Sequence, residues 1–395
     1  MRVFDLADRR ARLARRHHLA PGARAPDVES AAGALIGLHA TDPATVYLSA
    51  WARVDGMSSA DLDRALYVDR SLVKHLAMRR TLFVFPERSL PAVQAAASAR
   101  VADSESRRLI RDVEGAGLFE DGKHWLDRAS AAVLATLSGG RQATSSELRA
   151  EIPALQGAIM YGEGRSWGGA APIGPRVLTT LSAKGLIVRA TNQGGWNVSR
   201  PRWAATESWL GHPIADLDPA EARAALVRHW LFSFGPGSVQ DIKWWLGSML
   251  GAVRAALVDV GAVEVDLHGQ PGYLLPDDLE PVRPVEPWAA LLPGLDPTTM
   301  GWFDRAWYLG EHRGDVFDST GNAGPTAWWD GRIVGGWHQT DRCEVVLDLL
   351  EKVDAHATRT LEERAGRLTD WLVQTRVTPR FPSPLSRSGT RPRGG

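Results

Sequence analysis

The stretch ALIGLHATDPATVYLSAWAR, residues 34–53, decides how the rest of the chain is read. Apolar residues at helical spacing flank a polar elbow that holds His39, Thr41 and Asp42. Asp42-Pro43 is a helix-start signal, because an aspartate caps free amides and proline suits the first helical position, where no amide hydrogen is needed. One helix is therefore expected over 27–40 and a second over 43–53, with His39 on the last turn of the first and Thr41 in the turn. Two residues apart, these side chains would face opposite sides of one continuous helix, and a break at Asp42 lets them converge. The elbow also has an ordinary structural explanation. The dipole favours a histidine near a helix C-terminus, and a threonine before a cap can satisfy backbone amides.

Outward from the elbow, a third helix is expected over 59–67, followed by LVKHLAMRRTLFVFP (72–86), whose end has β character; a wing here would be short or missing. The same grammar of short helices, a small-residue turn, another helix and a glycine-bearing β-ribbon recurs at about 124–203 and 219–275. In the first of these, Thr144 caps a helix with Glu147 at the capping-box position, and Gly185 stops a recognition-type helix. The ribbon there is LIVRATNQGGWNVSR (186–200), bending around Asn192 to Gly195. In the second, Ser238 caps with Asp241 three residues on. The expected fold class is α+β, with three tandem winged-helix domains. The elbow unit occupies 1–87, a connecting helix 88–118, the second unit 119–210 and the third 211–284. Past 285 the composition turns to Gly, Pro and Asp alternating with aromatic and branched runs, which predicts a small β-barrel-like unit with a helix at about 357–374, ending at 378. A basic, flexible tail, 379–395, completes the chain.

Composition bounds the function classes. The 395 residues are 44% hydrophobic, enough to bury several cores, and the single cysteine, Cys343, fits a reducing compartment. No run of about 18 apolar residues and no signal-peptide core occurs, so a cytoplasmic, membrane-free protein is expected. Formal net charge is zero, so a nucleic-acid case rests on local clusters. Two exist: Arg9, Arg10, Arg12, Arg15 and Arg16 near the start, and Arg376, Arg380, Arg387, Arg391 and Arg393 in the tail. Solvated faces explain such runs equally well. His17-His18 lacks a carboxylate or cysteine at ligand spacing, so no metal is expected, and no Gly-rich loop of the required context suggests a nucleotide cofactor. Mutual burial of the repeats predicts a monomer.

Four stretches carry a family resemblance: GLHATDPATVYLSAWARV (37–54), LAMRRTLFVFP (76–86), LLPGLDPTTMGW (291–302) and NAGPTAWWDGRIVGGW (322–337). With the repeated helix–ribbon grammar they resemble the AlkZ/YcaQ-like DNA glycosylases of the helix-turn-helix superfamily, which unhook bulky or crosslinking alkyl adducts. The likeness spans nearly the whole chain. It implies a C-shaped DNA cleft and a partner in double-stranded DNA carrying such adducts. Members typically carry two glutamines flanking one apolar residue immediately before Asp-Pro; here the pair is His39 and Thr41. That departure suggests altered substrate handling, similar to the self-resistance glycosylases of antibiotic producers, including those for trioxacarcin-type guanine adducts.

A guanine alkylated on its imidazole is cationic and already a good leaving group. The enzyme must hold the nucleotide, stabilise an oxocarbenium-like sugar and place a water on its opposite face. His39, with a reference pKa of about 6.5, can position that water and accept its proton, and Thr41 can fix the same water or orient His39. Asp42 is a candidate for stabilising the sugar cation, in competition with its cap. Arg79 and Arg80 are candidates for the flanking phosphates, and Gln193 and Trp196 for groove contacts at the second ribbon's bend, although surface solvation and a core tryptophan explain them too. Trp337 and His338 follow a flexible Gly-Gly where the family's barrel approaches DNA. No lysine sits at the elbow in sequence, so no Schiff-base lyase step is expected. Two other readings stand beside the glycosylase: a winged-helix DNA-binding regulator or damage-binding protein without catalysis, and an aromatic cleft that sequesters the genotoxin itself.

Overall fold

In the computed structural model, residues 2–162, 164–165 and 168–388 are described. The elbow is more extended than helical spacing suggests. The first helix ends at Ala34, Ile36 takes a positive φ of 66°, and Leu38–His39 forms a short strand. Gly37 permits this turn, since a Cβ there would lie 2.8 Å from the Phe85 ring. His39 therefore sits on a strand, not on the last helical turn. Ala40 N–H donates to Leu82 O at 2.8 Å, so the chain stays extended to the threshold of Asp42. The strand ends at His39 and the chain bends at Thr41 and Asp42, so the two candidate residues stand on either side of the strand's end rather than across a helix break.

Asp42 then caps the elbow helix, Pro43–Trp51, through Ala44 N. After the helix Ser59–Tyr67, the chain makes a full antiparallel hairpin, Leu72–Ala77 with Thr81–Pro86. The expectation of a short or missing wing is thereby corrected. No glycine or asparagine marks its turn, because Arg79 and Arg80 themselves adopt positive φ. Leu38–His39 joins the outer edge of the second strand, giving a three-stranded sheet in the order first, third, second.

The second stretch repeats that order: Ala143–Thr144, then Pro201–Ala205, then Ile187–Asn192. Its capping box at Thr144 and Glu147 forms, and Gly185 ends the helix Gly174–Ala183 at φ 73°. The returning strand starts at Pro201 rather than inside the predicted ribbon, so residues 193–200 form a long loop. The third stretch has the helices Pro219–Phe234, Val239–Leu246 and Leu250–Asp259, the Ser238–Asp241 capping box, and a hairpin of Val263–Asp266 with Pro271–Leu274. A bridge from Gly237 to Tyr273 supplies its third partner. A nearly continuous helix over 90–115, passing through a π turn at Gln94–Ser98, connects the first two stretches.

The C-terminal sheet is Ala289–Leu292, Thr326–Trp329, Arg332–Gln339 and Val345–Leu349 in sequence order. It is an open meander and not a closed barrel, with the helix Ala355–Leu372 on one face. Ala44 and Leu48 of the elbow helix pack into the same apolar cluster, which seats this sheet beneath the elbow. Residues 379–388 pack back onto the protein, ending in the short helix Pro384–Ser388. Arg391 and Arg393 lie outside the described residues.

Candidate functional site

The rigid base of the elbow is a fully buried ion pair. Arg53, from the chain just past the elbow helix, donates from both Nη atoms to Asp296 at 2.7 and 2.9 Å, and both residues are 0% exposed. Asp296 also accepts from Ser49 Oγ and Thr298 N, while Arg53 donates to Thr298 Oγ1. The LDPTTMGW run thus serves as a polar clamp on the elbow. His17 joins it, buried with Nδ1 2.8 Å from Thr298 Oγ1 and Nε2 3.1 Å from Ser233 O. That explains one of the two tandem histidines as a packing residue.

His39 is 7% exposed and meets Phe83 edge to face at 5.3 Å between ring centroids. Among the described residues its buried Nδ1 has no hydrogen-bond partner. Burial pushes its pKa down to about 3, assisted by the positive Arg79 and opposed by Asp296. A group so reluctant to hold a proton stays neutral at working pH and is a weak base, which weighs against the expected general-base role and for one of positioning. Thr41 is half-buried and lies nearer the surface. Asp42 has both oxygens engaged, Oδ1 by Ala44 N and Oδ2 by Arg380 N at 2.9 Å, and burial raises its pKa. It acts as a cap that also anchors the tail. Arg380 Nη1 donates to Thr41 O at 3.1 Å, so the tail borders the elbow directly.

The other candidates separate. Arg79 is exposed and stacks on Trp244 at 3.9 Å, and Arg80 pairs with Glu105 at 2.8 Å. Gln193 is exposed and lines an open groove of about 670 Å³ between the second stretch and Arg380. Trp196 turns the other way, against Tyr47 at 5.2 Å and Trp371 at 5.5 Å, as a fastening between elements rather than a groove wedge. Trp337 is buried, donating Nε1–H to Leu292 O, while His338 is 2.6 Å from Asp348. Both border a cavity of about 230 Å³ that Asp42 and tail residues also line. Among the described residues no group of three His, Cys, Asp or Glu side chains is placed to hold a metal. Among the described residues no helix is long and apolar enough to cross a membrane.

Sequence reasoning placed three cations outside the site, Arg380 only as one charge of the basic tail. Lys74, on the first hairpin, lines a small cavity with Ala40 and Arg189, so a lysine does stand beside the elbow in space. Its Nζ donates to Tyr67 OH at 2.7 Å, and burial with Arg189 nearby pushes its pKa down to about 8. Arg189 and Arg380 complete the set. Period-two alternation in LIVRATN could have directed Arg189 inward; nothing local marks Arg380.

His17, His39 and His75 are all buried with lowered pKa values, His75 to about 4. The unfolded chain protonates these groups near their ordinary value and the native chain does not. Stability therefore falls as pH drops below about 6.5, by up to roughly 1.4 kcal/mol per pH unit for each group. Urea midpoints at pH 7, 6 and 5 should decline accordingly, and more shallowly in His75→Gln; constant midpoints would mean that the folded protein accepts the protons.

The mixed helix-and-sheet fold agrees with what comparison with known proteins shows. The sequence model of the family described as DNA glycosylase AlkZ-like matches residues 32–371, and the chain belongs to that family. It is similar to an interstrand DNA cross-link repair glycosylase of Streptomyces sahachiroi, 25% identical over 202 residues, or 49% of this chain and 53% of the relative. The chain thus spans about half the length of the curated relative it matches. The solved structure of Streptomyces sahachiroi DNA glycosylase AlkZ superimposes with a TM-score of 0.74 at 21% identity, covering 96% of this chain and 100% of that one, a likeness of fold.

Proposed function

We propose that this protein is a monofunctional DNA glycosylase that hydrolyses the N-glycosidic bond of bulky cationic alkylpurines of the 7-alkylguanine type, giving self-resistance to a DNA-alkylating antibiotic. The three helix–strand stretches act as winged-helix units around the duplex, and the chain works as a cytoplasmic monomer. Family membership supports the reaction class, and the cross-link repair named for the Streptomyces relative supports a bulky adduct.

The observation that carries the reading is the elbow itself. His39 Nδ1 is a buried polar atom without a partner, which costs about 1–3 kcal/mol, and such costs are tolerated where a ligand or water is to be held. Thr41 supplies a hydroxyl at the more open edge. A neutral imidazole and a hydroxyl together can orient a water against the sugar carbon without taking its proton early, which suffices when the departing base is already cationic. The expected absence of a lyase step now rests on Lys74 Nζ being tied to Tyr67 rather than on distance from the elbow.

Incubation of the purified protein with duplexes carrying a panel of alkylated guanines and adenines tests this reading. Free alkylbase and an abasic strand, with no covalent complex trapped by borohydride, are expected. A trapped complex would assign Lys74 a nucleophilic role. A footprint without released base from any adduct would favour the binding-protein reading, which the burial of His39 supports.

A further inference from the structure

Beside the elbow, three cations from distant parts of the chain meet, and among the described residues none of the three forms an ion pair with a carboxylate. Arg189 comes from the second stretch's hairpin and lies over the Trp203 ring at 5.3 Å, with Nε buried and unpartnered. Among the described residues it has no ion pair. It lines the open groove together with Arg380 and the small cavity together with Lys74 and Ala40. Arg380 and Lys74 are close enough to repel it or be repelled by it, and burial with Arg380 nearby pushes the Arg189 pKa down to about 10. Two acids act on the row, each already engaged: Asp63 at its Lys74 end, where Tyr47 OH donates to it, and Asp42 at its Arg380 end, where it accepts from the backbone amides of Ala44 and Arg380.

Like charges gathered in a half-buried groove repel one another, and a visiting anion relieves that cost. Arg80, by contrast, already holds Glu105, and Arg79 is stacked on Trp244. We propose that Arg189 and Arg380, with the buried Lys74 adding its charge from behind, grip a backbone phosphodiester of the DNA strand whose nucleotide lies at the elbow. This rests on DNA being the substrate and deepens it, by naming which residues set the register of the strand. Two planar guanidinium forks suit the oxygens of a phosphate. Arg380 is fixed in place by its own backbone amide on Asp42 and its Nη1 on Thr41 O, so a phosphate held there is tied to the residues proposed to orient water. Arg380 also lies past residue 371, where the family match ends.

The test is duplex binding by fluorescence anisotropy as salt is raised from about 50 to about 200 mM. Each lost phosphate contact should reduce the slope of log affinity against log salt by about one. Arg189→Gln and Arg380→Gln should each show that reduction with several-fold weaker binding, and Arg189→Lys should restore the slope. Arg64→Gln, on an exposed helix and paired with Asp69, should not change it. Because Arg380 is exposed, its variant keeps the test sound even if Arg189→Gln folds poorly. Slopes equal to wild type in both glutamine variants would overturn the proposal, as would an equal fall in Arg64→Gln. So would inorganic phosphate at constant ionic strength competing with duplex while those slopes stay unchanged, since the groove would then take free phosphate. Unchanged slopes with normal base release would remove the phosphate grip alone. Reduced slopes with no base released from any adduct would remove the excision reading alone.

Discussion

Replacing His39 with alanine is expected to lower release of alkylated base from an adducted duplex by about 100-fold, the scale of a misplaced reacting group. His39→Gln should retain most of that loss-sensitive function, within about tenfold of wild type, because glutamine keeps a neutral donor and acceptor on a side chain of similar reach. The two substitutions separate mechanisms. A general base would be abolished by glutamine as fully as by alanine, since neither accepts a proton. The pH profile supplies a second discriminator. With burial holding the imidazole pKa down to about 3, the rate should be level from pH 5 to 8 wherever the protein remains folded. A base at its ordinary value would lose rate progressively below about 6.5. Single-turnover base release at each pH, with folding checked by circular dichroism, makes the measurement. Equal activity of His39→Ala and wild type would remove His39 from the site.

The difference between an expected base and a histidine that burial keeps from holding a proton locates what sequence could not convey. Local signals were legible: Asp42-Pro43, Thr144 with Glu147 and Ser238 with Asp241 all start helices, because each cap is settled within four residues of chain. The helix Ser59–Tyr67 lies where its periodicity put it. What failed was non-local. Apolar spacing continues past Ala34, yet pairing of Leu38–His39 with Phe83–Val84 pulls the segment into a sheet. The hairpin at Met78 was hidden because its turn uses two arginines at positive φ where composition leads one to look for glycine or asparagine. Trp196 could be assigned to a groove or a core from sequence, and only contact with Tyr47 and Trp371 decides it. Arg380 reads as one more charge in a Pro/Ser-rich tail, and its place at Thr41 depends on a contact 339 residues away in sequence. The caps that make the elbow were therefore readable, while the surroundings that set its chemistry were not.

The clamp beneath the elbow leads to the largest stability effect. Arg53→Met should destabilise the protein by about 3–5 kcal/mol, the cost of leaving a carboxylate buried without its countercharge. Asp296 would keep Ser49 Oγ at 2.6 Å and Thr298 N at 2.9 Å, which solvate it in part but do not neutralise it. Against a typical stability of about 5–15 kcal/mol, that loss leaves a much less stable fold with lowered denaturant midpoint and little change in m. The double variant Arg53→Met/Asp296→Leu should recover most of the loss, since apolar replacements of similar volume often match a buried pair. Recovery carries a functional consequence that stability alone does not. Asp296 is the acid that opposes the lowering of the His39 pKa, and Arg53 ties the elbow helix to the C-terminal sheet. A double variant as stable as wild type yet slower in base release would mean that the pair sets the position of the elbow. A single variant costing under about 1 kcal/mol would instead mean that water reaches Asp296, and the clamp would lose its role as the rigid base of the site.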